Sequence, residues 1–557
     1  MLIERASLVG EAAIRFEEAP PPSALPGSRK FLILGVMAFG QFMALLDIQI
    51  VAASMNDIQA GLSAGPDEIS WVQTAYFIAE IVMIPLSGFL AIALSTRWLF
   101  AVSAGLFTVF SALCGMAWDI QSMILFRALQ GFTGGAMVPL VFATGFTLFT
   151  GRRRAMIPAI LGVVATLAPT LGPTVGGWIT DSLGWRWIFY INVLPGLAIA
   201  VASFILARID RPQAAMLRRV DWAHLAALAI WLGCLQYVLE EGPRRDWFSD
   251  TTIAIASWIS FVAFLLFLER SFLSLAPIVS LAPFRDRTFS IACALNLIIG
   301  IGLYASIYLV PLFLGRVRGF SSIQIGATVF ITGIAMICGA PVASALPQRT
   351  DPRLVITGGL ALYGAALWML SGMGPEWGFW ELFWPHALRG FSILLCVAPA
   401  VDMALARFSG DQLSYASGLC TLMRNLGGAI GIALANTWLQ DFTRIHALRL
   451  DEALGQGGRM APQMLGAIQE RMAAISADPH HALQLAQAEL AKELHRQAHT
   501  QAFGDVFHLM AVMFAAAIIL VPFCRAPSKR QPSPGCKPPA LGESANFFPE
   551  RTECGSV

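Results

Sequence analysis

The stretch Gly162–Trp178, GVVATLAPTLGPTVGGW, carries the pattern on which the fold turns. Drawn as a helix, it puts Ala168, Gly172 and Gly176 on one stripe at four-residue spacing, with Ala165, Pro169, Pro173 and Gly177 beside them. A helix that only faces lipid has no need of small side chains. Small residues at every fourth position let a second helix approach backbone to backbone inside a membrane, and each proline removes an intrahelical hydrogen bond and permits a bend. The stretch reads as a contact and bending surface within a moving helical bundle; ordinary packing between spans is the alternative.

The surroundings support a bundle in lipid. Of 557 residues, 56% are apolar and only 13% charged, with a mean hydropathy of +0.66. A helical span needs roughly 20 mostly apolar residues. Fourteen such runs can be placed, at 31–52, 70–93, 98–117, 120–147, 155–179, 187–207, 222–240, 251–269, 288–313, 323–346, 353–372, 378–404, 414–439 and 503–524. No run alternates with period two in the manner of a membrane β-barrel. The chain is therefore expected to be an all-α polytopic membrane protein.

The formal net charge of +2 is too small to point to a nucleic-acid partner. With a cytoplasmic N-terminus, the short inner loops hold fourteen arginines, among them Arg152, Arg153 and Arg154, and the short outer loops hold five. That asymmetry places both termini in the cytoplasm. The first 30 residues lack an apolar core and are not a cleavable signal. Nine cysteines show no paired spacing and read as small apolar fillers.

Charges inside the spans are the candidates for function, because such residues are costly in lipid and face cavities or partners. Asp47 lies near the outer end of the first span, Glu80 close to the middle of the second, and Arg127 in the fourth on one face with Gln130, Gly131 and Gly134. Arginine keeps its proton, so Arg127 is suited to holding a carboxylate charged, and Asp47 lies at similar depth. The charged turn Glu240–Asp246 reads most simply as solvated.

The linker after Arg208 and the basic connection 270–287 divide the spans as six, two and six. This gives a cytoplasmic tail at 1–30, a six-helix bundle at 31–207, a linker with spans seven and eight at 208–287, and a second six-helix bundle at 288–524. The second bundle includes an outer loop at 440–502, and a cytoplasmic tail follows at 525–557. If the two sixes are repeats, the fifth span corresponds to the thirteenth, where Arg424, Gly427, Gly428 and Gly431 share a face. Within the outer loop, 461–501 should form a short helical hairpin broken at Asp478-Pro479. No phosphate-binding Gly-Lys loop, metal-ligand cluster or nucleophile–base pair stands out. His386 and the other histidines fall mainly in loops or at span ends. No catalytic residue, cofactor or metal is expected. Ion-coupled transport is the chemistry that a few carboxylates and arginines in a flexible bundle suit, since protonation changes their pairing.

Several motifs in register resemble the major facilitator superfamily, specifically its fourteen-span drug:proton antiporter branch of the EmrB/QacA type. LLDIQIVAAS, LFRALQGFTGGA, LAPTLGPTVGGW, WRWIFYINVLPG and RNLGGAIGIA carry the resemblance over nearly all of 31–524. It implies the major facilitator fold, two six-helix bundles plus two extra central helices. It also implies proton coupling near Asp47 and Arg127, and alternating access hinged partly at Gly172, Pro173, Gly176 and Gly177. Two departures stand out. The family's loop between spans two and three usually reads Gly-x-Leu-x-Asp-Arg-x-Gly-Arg, and here GFLAIALSTR puts Ile92 and Ala93 at the Asp and Arg places. Glu80 stands where many relatives have an uncharged residue, which adds a second coupling acid and a cationic substrate to the expectations.

The reading that follows is proton-coupled efflux of drug-like or amphipathic molecules across a bacterial inner membrane. Its partners are the small-molecule substrate, protons and membrane lipid, and the resemblance adds a periplasmic adaptor and an outer-membrane channel. The alternatives are export of one metabolite such as a fatty acid or siderophore, a membrane-embedded enzyme, or a sensor without flux.

Overall fold

The computed structural model describes residues 25–154, 156–273, 278–456, 466–471 and 479–524. The tail at 525–557 and most of the one at 1–30 lie outside the described residues. Thirteen helices among the described residues are long and apolar enough to cross a membrane. The opening stretch belongs to another long helix, of 27 residues.

In chain order the long helices are α1 (Gly27–Ala53), α2 (Trp71–Leu94), α3 (Thr96–Gly115), α4 (Ile120–Leu148, interrupted after Gly134), α5 (Ile157–Leu183), α6 (Val193–Leu206), α7 (Trp222–Glu241) and α8 (Thr251–Leu273). They continue as α9 (Arg287–Arg316), α10 (Ser322–Arg349), α11 (Pro352–Ser371), α12 (Phe379–Leu405), α13 (Asp411–Gln456) and α14 (Pro479–Ala517). Their starts follow from local chemistry. Asp119, Asp221, Asp286, Ser321 and Asp351 each accept a backbone N–H in the first turn of the helix that follows, which satisfies a donor the helix itself leaves free.

The packing of the first six helices recurs in the last six. α1 packs on α5 as α9 packs on α13, α2 on α4 as α10 on α12, and α3 on α6 as α11 on α14. Further pairs join the halves, foremost α5 with α10 and α2 with α13. These are counterparts of one another, so the halves meet around an approximate two-fold axis. The α7–α8 hairpin stands outside this scheme and leans on α2, where Trp71 stacks on Tyr237 at 5.4 Å.

The hairpin expected over 461–501 lies partly outside the described residues; 466–471 is helical, and a helix starts at the expected break, Pro479. α13 runs on to Gln456, and α14 starts at Pro479, while 457–465 and 472–478 lie outside the described residues. No glycine or proline interrupts FTRIHALRLDEAL, so the transmembrane helix continues past its apolar part. The two extensions are pinned together by His446 and Asp505 at 2.7 Å and by Thr443 and His499 at 3.0 Å.

The altered loop between α2 and α3 is neutral in the structure as well. Ile92 and Ala93 are buried. Ser95 takes φ 74° and ψ 151° at the place of the family's second glycine, a conformation that is costly for any residue with a Cβ. A carboxylate from elsewhere serves this corner. Asp210, from the loop after α6, accepts Thr96 N at 2.8 Å and Thr96 Oγ1 at 2.7 Å. Burial raises its pKa, against the lowering effect of those donors. Ser95→Gly is expected to stabilise the protein by about 1 kcal/mol, the lower end of the cost of such a residue. A thermal melt in detergent that rises by a few degrees checks this; an unchanged or lower midpoint contradicts the strain.

Candidate functional site

The first half encloses a polar network that no surface water reaches. The side chains of Asp47 and Arg127 are 0% exposed, with Arg127 Nη1 at 2.6 Å from Asp47 Oδ2. Arg127 Nη1 also donates to Gln130 Oε1 at 2.7 Å, and Nε donates to the Val72 carbonyl at 3.2 Å. The other carboxylate oxygen, Asp47 Oδ1, accepts from Gln130 Nε2 at 3.1 Å and Asn192 Nδ2 at 2.7 Å. Four helices are tied together in this way. The guanidinium lies 4.3 Å over the Tyr76 ring, and α4 comes this close to α2 because a methyl on Gly131 would collide with the Tyr76 carbonyl. Arg127 and Gln130 sit one turn apart on the face read from sequence. Asn192 was not singled out there, since an asparagine at the start of α6 shows no spacing signal of its own.

Between the halves lies a cavity of about 650 Å³. Glu80 reaches it from α2, and Arg424 and Asn425 from α13. Tyr304 and Tyr308, one turn apart on α9, share the wall, and Tyr308 Oη donates to Asn436 Oδ1 at 2.9 Å. Asp47 and Arg127 do not line the cavity, so the three charges grouped by the sequence separate into a buried pair and a cavity-facing acid. Arg424 is buried against the opposite half. It is 8% exposed and lies 5.3 Å from the Phe142 ring of the opposite half.

The cavity extends to the helix ends that carry Met55, Ser70, Pro243 and Arg316. Glu240 and Glu241 line it too. That corrects the reading of Glu240–Asp246 as a simple solvated turn, because α7 packs against α2 and brings its last turn over the cavity. Glu241 is 4% exposed and lies 3.8 Å from both Arg244 and Arg245. At the opposite end the halves touch. A methyl on Gly88 would lie 3.1 Å from the Ser414 carbonyl oxygen, Ser417 Oγ donates to the Pro139 carbonyl at 2.9 Å, and Arg154 Nη2 donates to the Leu405 carbonyl at 2.9 Å.

The glycine-rich helices occupy equivalent places. On α5, Gly172 faces Gln49 and Gly176 faces the Ile50 carbonyl at 3.0 Å from an added methyl, so both abut α1, two and three residues beyond Asp47. Pro173 and Gly177 are half-buried on the same helix, which runs unbroken through its prolines. On α13, Gly427 and Gly431 face the Leu297 and Ile301 carbonyls of α9, and Gly428 faces the Tyr304 ring.

The second half holds a buried arginine that the sequence reading passed over. Arg389 donates to the Ser306 carbonyl at 3.0 Å and to Thr332 Oγ1 at 3.2 Å. His386, expected at a span end, lies wholly buried inside α12, with Nδ1 3.2 Å from Thr332 Oγ1. The signal was an internal repeat: Ala128–Thr133 reads ALQGFT and Ala387–Ser392 reads ALRGFS. Gln130 thus corresponds to Arg389, and Arg127 to His386. Gly131 and Gly390 each close on a backbone carbonyl of the neighbouring helix, Tyr76 and Thr332.

Removing one member of a buried ion pair leaves the other uncompensated, at a cost of about 3–5 kcal/mol, whereas replacing both is far milder. Asp47→Ala is expected to lower thermal stability by that amount, and Asp47→Leu combined with Arg127→Met to recover most of it. Additive losses in the double variant would show that the pair is not coupled.

Residues 37–432 match the model of the Major Facilitator Superfamily. The chain is 36% identical over 497 residues to the colistin resistance protein EmrB of Acinetobacter baumannii, covering 89% of this chain and 96% of that one. It is 27% identical over 504 residues to the multidrug export protein EmrB of Escherichia coli, covering 90% and 97%. Among solved structures, the human organic anion transporter MFSD10 (TETRAN) shares the fold with a TM-score of 0.53 at 14% identity, covering 89% of this chain and 100% of that one. This chain, with its two repeated six-helix bundles and an inserted helical hairpin, belongs to the major facilitator superfamily, among the EmrB-type members of its fourteen-span drug:proton antiporter branch.

Proposed function

We propose that the protein is a proton-driven exporter of amphipathic, drug-like molecules, working by alternating access in the inner membrane of a bacterium with both termini cytoplasmic and no bound cofactor. The observation that carries this reading is the division of charge: a sealed Asp47–Arg127 pair at 2.6 Å beside a cavity that Glu80 enters. Protonating Asp47 leaves Arg127 as a buried, uncompensated cation, which changes the relative stability of the two packings of the first half. Glu80 meets the substrate in the cavity, so a proton and a cation compete there. α5 touches α1 near Asp47 and α10 across the interface. Gly172, Pro173, Gly176 and Gly177 are therefore the hinge through which the pair's state reaches the other half. Arg424, Gly427, Gly428 and Gly431 do the equivalent on α13.

The relatives' names, colistin resistance and multidrug export, support the substrate class. The arginine asymmetry supports the orientation, in which the cavity reaches the outside and the Gly88–Ser414 contact closes the cytoplasmic end. The long extensions of α13 and α14 support a periplasmic adaptor, with an outer-membrane channel beyond it. A second reading, export of an anionic amphiphile such as a fatty acid, is favoured by Arg244, Arg316 and Arg424 in the same cavity.

Proteoliposomes with an imposed proton gradient test the proposal. Asp47→Asn, folded by its thermal melt, is expected to abolish exchange, and undiminished exchange would remove Asp47 from coupling. Glu80→Gln is expected to weaken cationic substrates about tenfold, the scale of one charged hydrogen bond, and to spare neutral ones. Equal losses for both would sink charge recognition. Faster transport of fatty acids than of cations in the unmodified protein would favour the second reading. Gly176→Leu is expected to trap or unfold the bundle, and normal transport would show that no close contact is needed there.

A further inference from the structure

A second cavity, of about 590 Å³, lies behind the cytoplasmic closure and belongs to neither the substrate space nor the ion pair. Its floor is formed by Pro85 of α2 with Leu419, Leu422 and Met423 of α13, close to where Gly88 meets Ser414 and Gly418 faces the Ile84 carbonyl. Its far wall is the α7–α8 hairpin. There Trp231 packs on Phe264 at 4.8 Å and on Phe267 at 5.0 Å. The mouth opens sideways, since Phe272 at its rim is 72% exposed on a surface that lipid would cover.

The polar groups gather at that mouth, where Ser271, Ser280 and Arg285 line the cavity. Ser271 is bonded to His224 at 3.0 Å. Arg285 is exposed, and no carboxylate lies within ion-pair distance of it among the described residues. The nearest acid in sequence, Asp286, is engaged twice: Oδ1 caps α9 through Phe289 N at 3.0 Å, and Oδ2 accepts from Arg407 at 2.8 Å. Arg270 is placed against Asp221 at 3.9 Å. The result is an apolar pocket with one cation at its lip.

We propose that this cavity is a binding site for one anionic phospholipid of the surrounding bilayer, with an acyl chain between the α7–α8 hairpin and the α2–α13 contact and its phosphate on Arg285. At ~30 Å³ per methylene, close to the volume share of a water molecule, the space holds roughly 20 methylenes, enough for one whole acyl chain. Apolar burial supplies affinity for any phospholipid, and the arginine supplies a preference for anionic headgroups. The occupant then packs directly against the two helices that close the cytoplasmic end. This hairpin is the part of the chain outside the six-plus-six repeat, so the site has no counterpart elsewhere in the bundle. The inference does not depend on which molecules the protein exports.

Native mass spectrometry of the full-length protein, released from nanodiscs of defined composition, tests it. With equal phosphatidylglycerol and phosphatidylcholine, the unmodified protein is expected to retain one phospholipid with a preference of about fivefold for the glycerol headgroup, the scale of one arginine at an anionic surface. Arg285→Ala is expected to abolish the preference while leaving a lipid bound, and Arg285→Lys to keep it. Leu268→Trp, which fills the cavity from α8, is expected to lose the retained lipid of either kind. Dibrominated acyl chains are expected to quench the emission that Trp231→Phe removes, and to quench it less in the Leu268→Trp background. An unchanged preference in Arg285→Ala, or unchanged retention and quenching in Leu268→Trp at an unaltered melting point, would overturn the site. Retention of an amphipathic cation in place of any phospholipid would overturn it too, by assigning the cavity to substrate.

Discussion

The structure depends first on the fact that arginine keeps its charge and that lipid cannot solvate it. Once Arg127 sits inside the first half at 0% exposure, everything around it is constrained. A carboxylate must meet it, which brings α1 to α4. Backbone and amide groups must take up further hydrogen-bonding capacity, which brings in Val72 of α2 and Asn192 at the start of α6. The helices must also come close enough for those bonds, which requires glycine at 131. The network is therefore both what holds the first bundle together and what a single proton can unbalance.

Two interfaces connect the helices of that network to the other half. α2 carries Tyr76 against Arg127 and Glu80 into the cavity between the halves, and it meets α13 across the axis, while α5 meets α1 beside the ion pair and α10 across the axis. Both crossing pairs are made by helices that also contact the charged groups. The second half repeats the packing without repeating the charges. Where the first half has Arg127 with Asp47, the second has His386 and Arg389 held by hydroxyl and carbonyl groups. The repeat thus conserves the contact geometry and varies the electrostatics, and among the described residues only the first half has a carboxylate paired at its core.

The departures from the resembling family have physical counterparts. The neutral Ile92 and Ala93 are packed away, and the corner they leave is served by Asp210 on Thr96. The same linker sends Gln213 toward Asp411 of α13 at 3.4 Å. Contacts between the halves at this end include Arg154 on the Leu405 carbonyl and Ser417 on the Pro139 carbonyl, and Asp286 pairs with Arg407 nearby.

Most of the fold was legible in the chain itself. Apolar run length identifies spans because the bilayer demands it, caps mark where helices start, and arginine asymmetry divides the loops. The candidate charges were legible for the same reason: Asp47, Glu80 and Arg127 are conspicuous because they are expensive in lipid. Depth along a helix could even suggest that Asp47 and Arg127 meet. What depth cannot give is azimuth. Whether a side chain faces a sealed network, as Asp47 does, a cavity, as Glu80 does, or solvent, as Glu241 does not, depends on how each helix is rotated against its neighbours. Helix ends were harder still: α13 runs beyond its apolar part because nothing in FTRIHALRLDEAL stops it. The sequence determined the elements, their order and their costly charges, since each is set by local chemistry against lipid. Tertiary structure alone decided which charges pair, which acids line the cavity and which end is closed, because those follow from rotations and contacts among helices far apart in the chain.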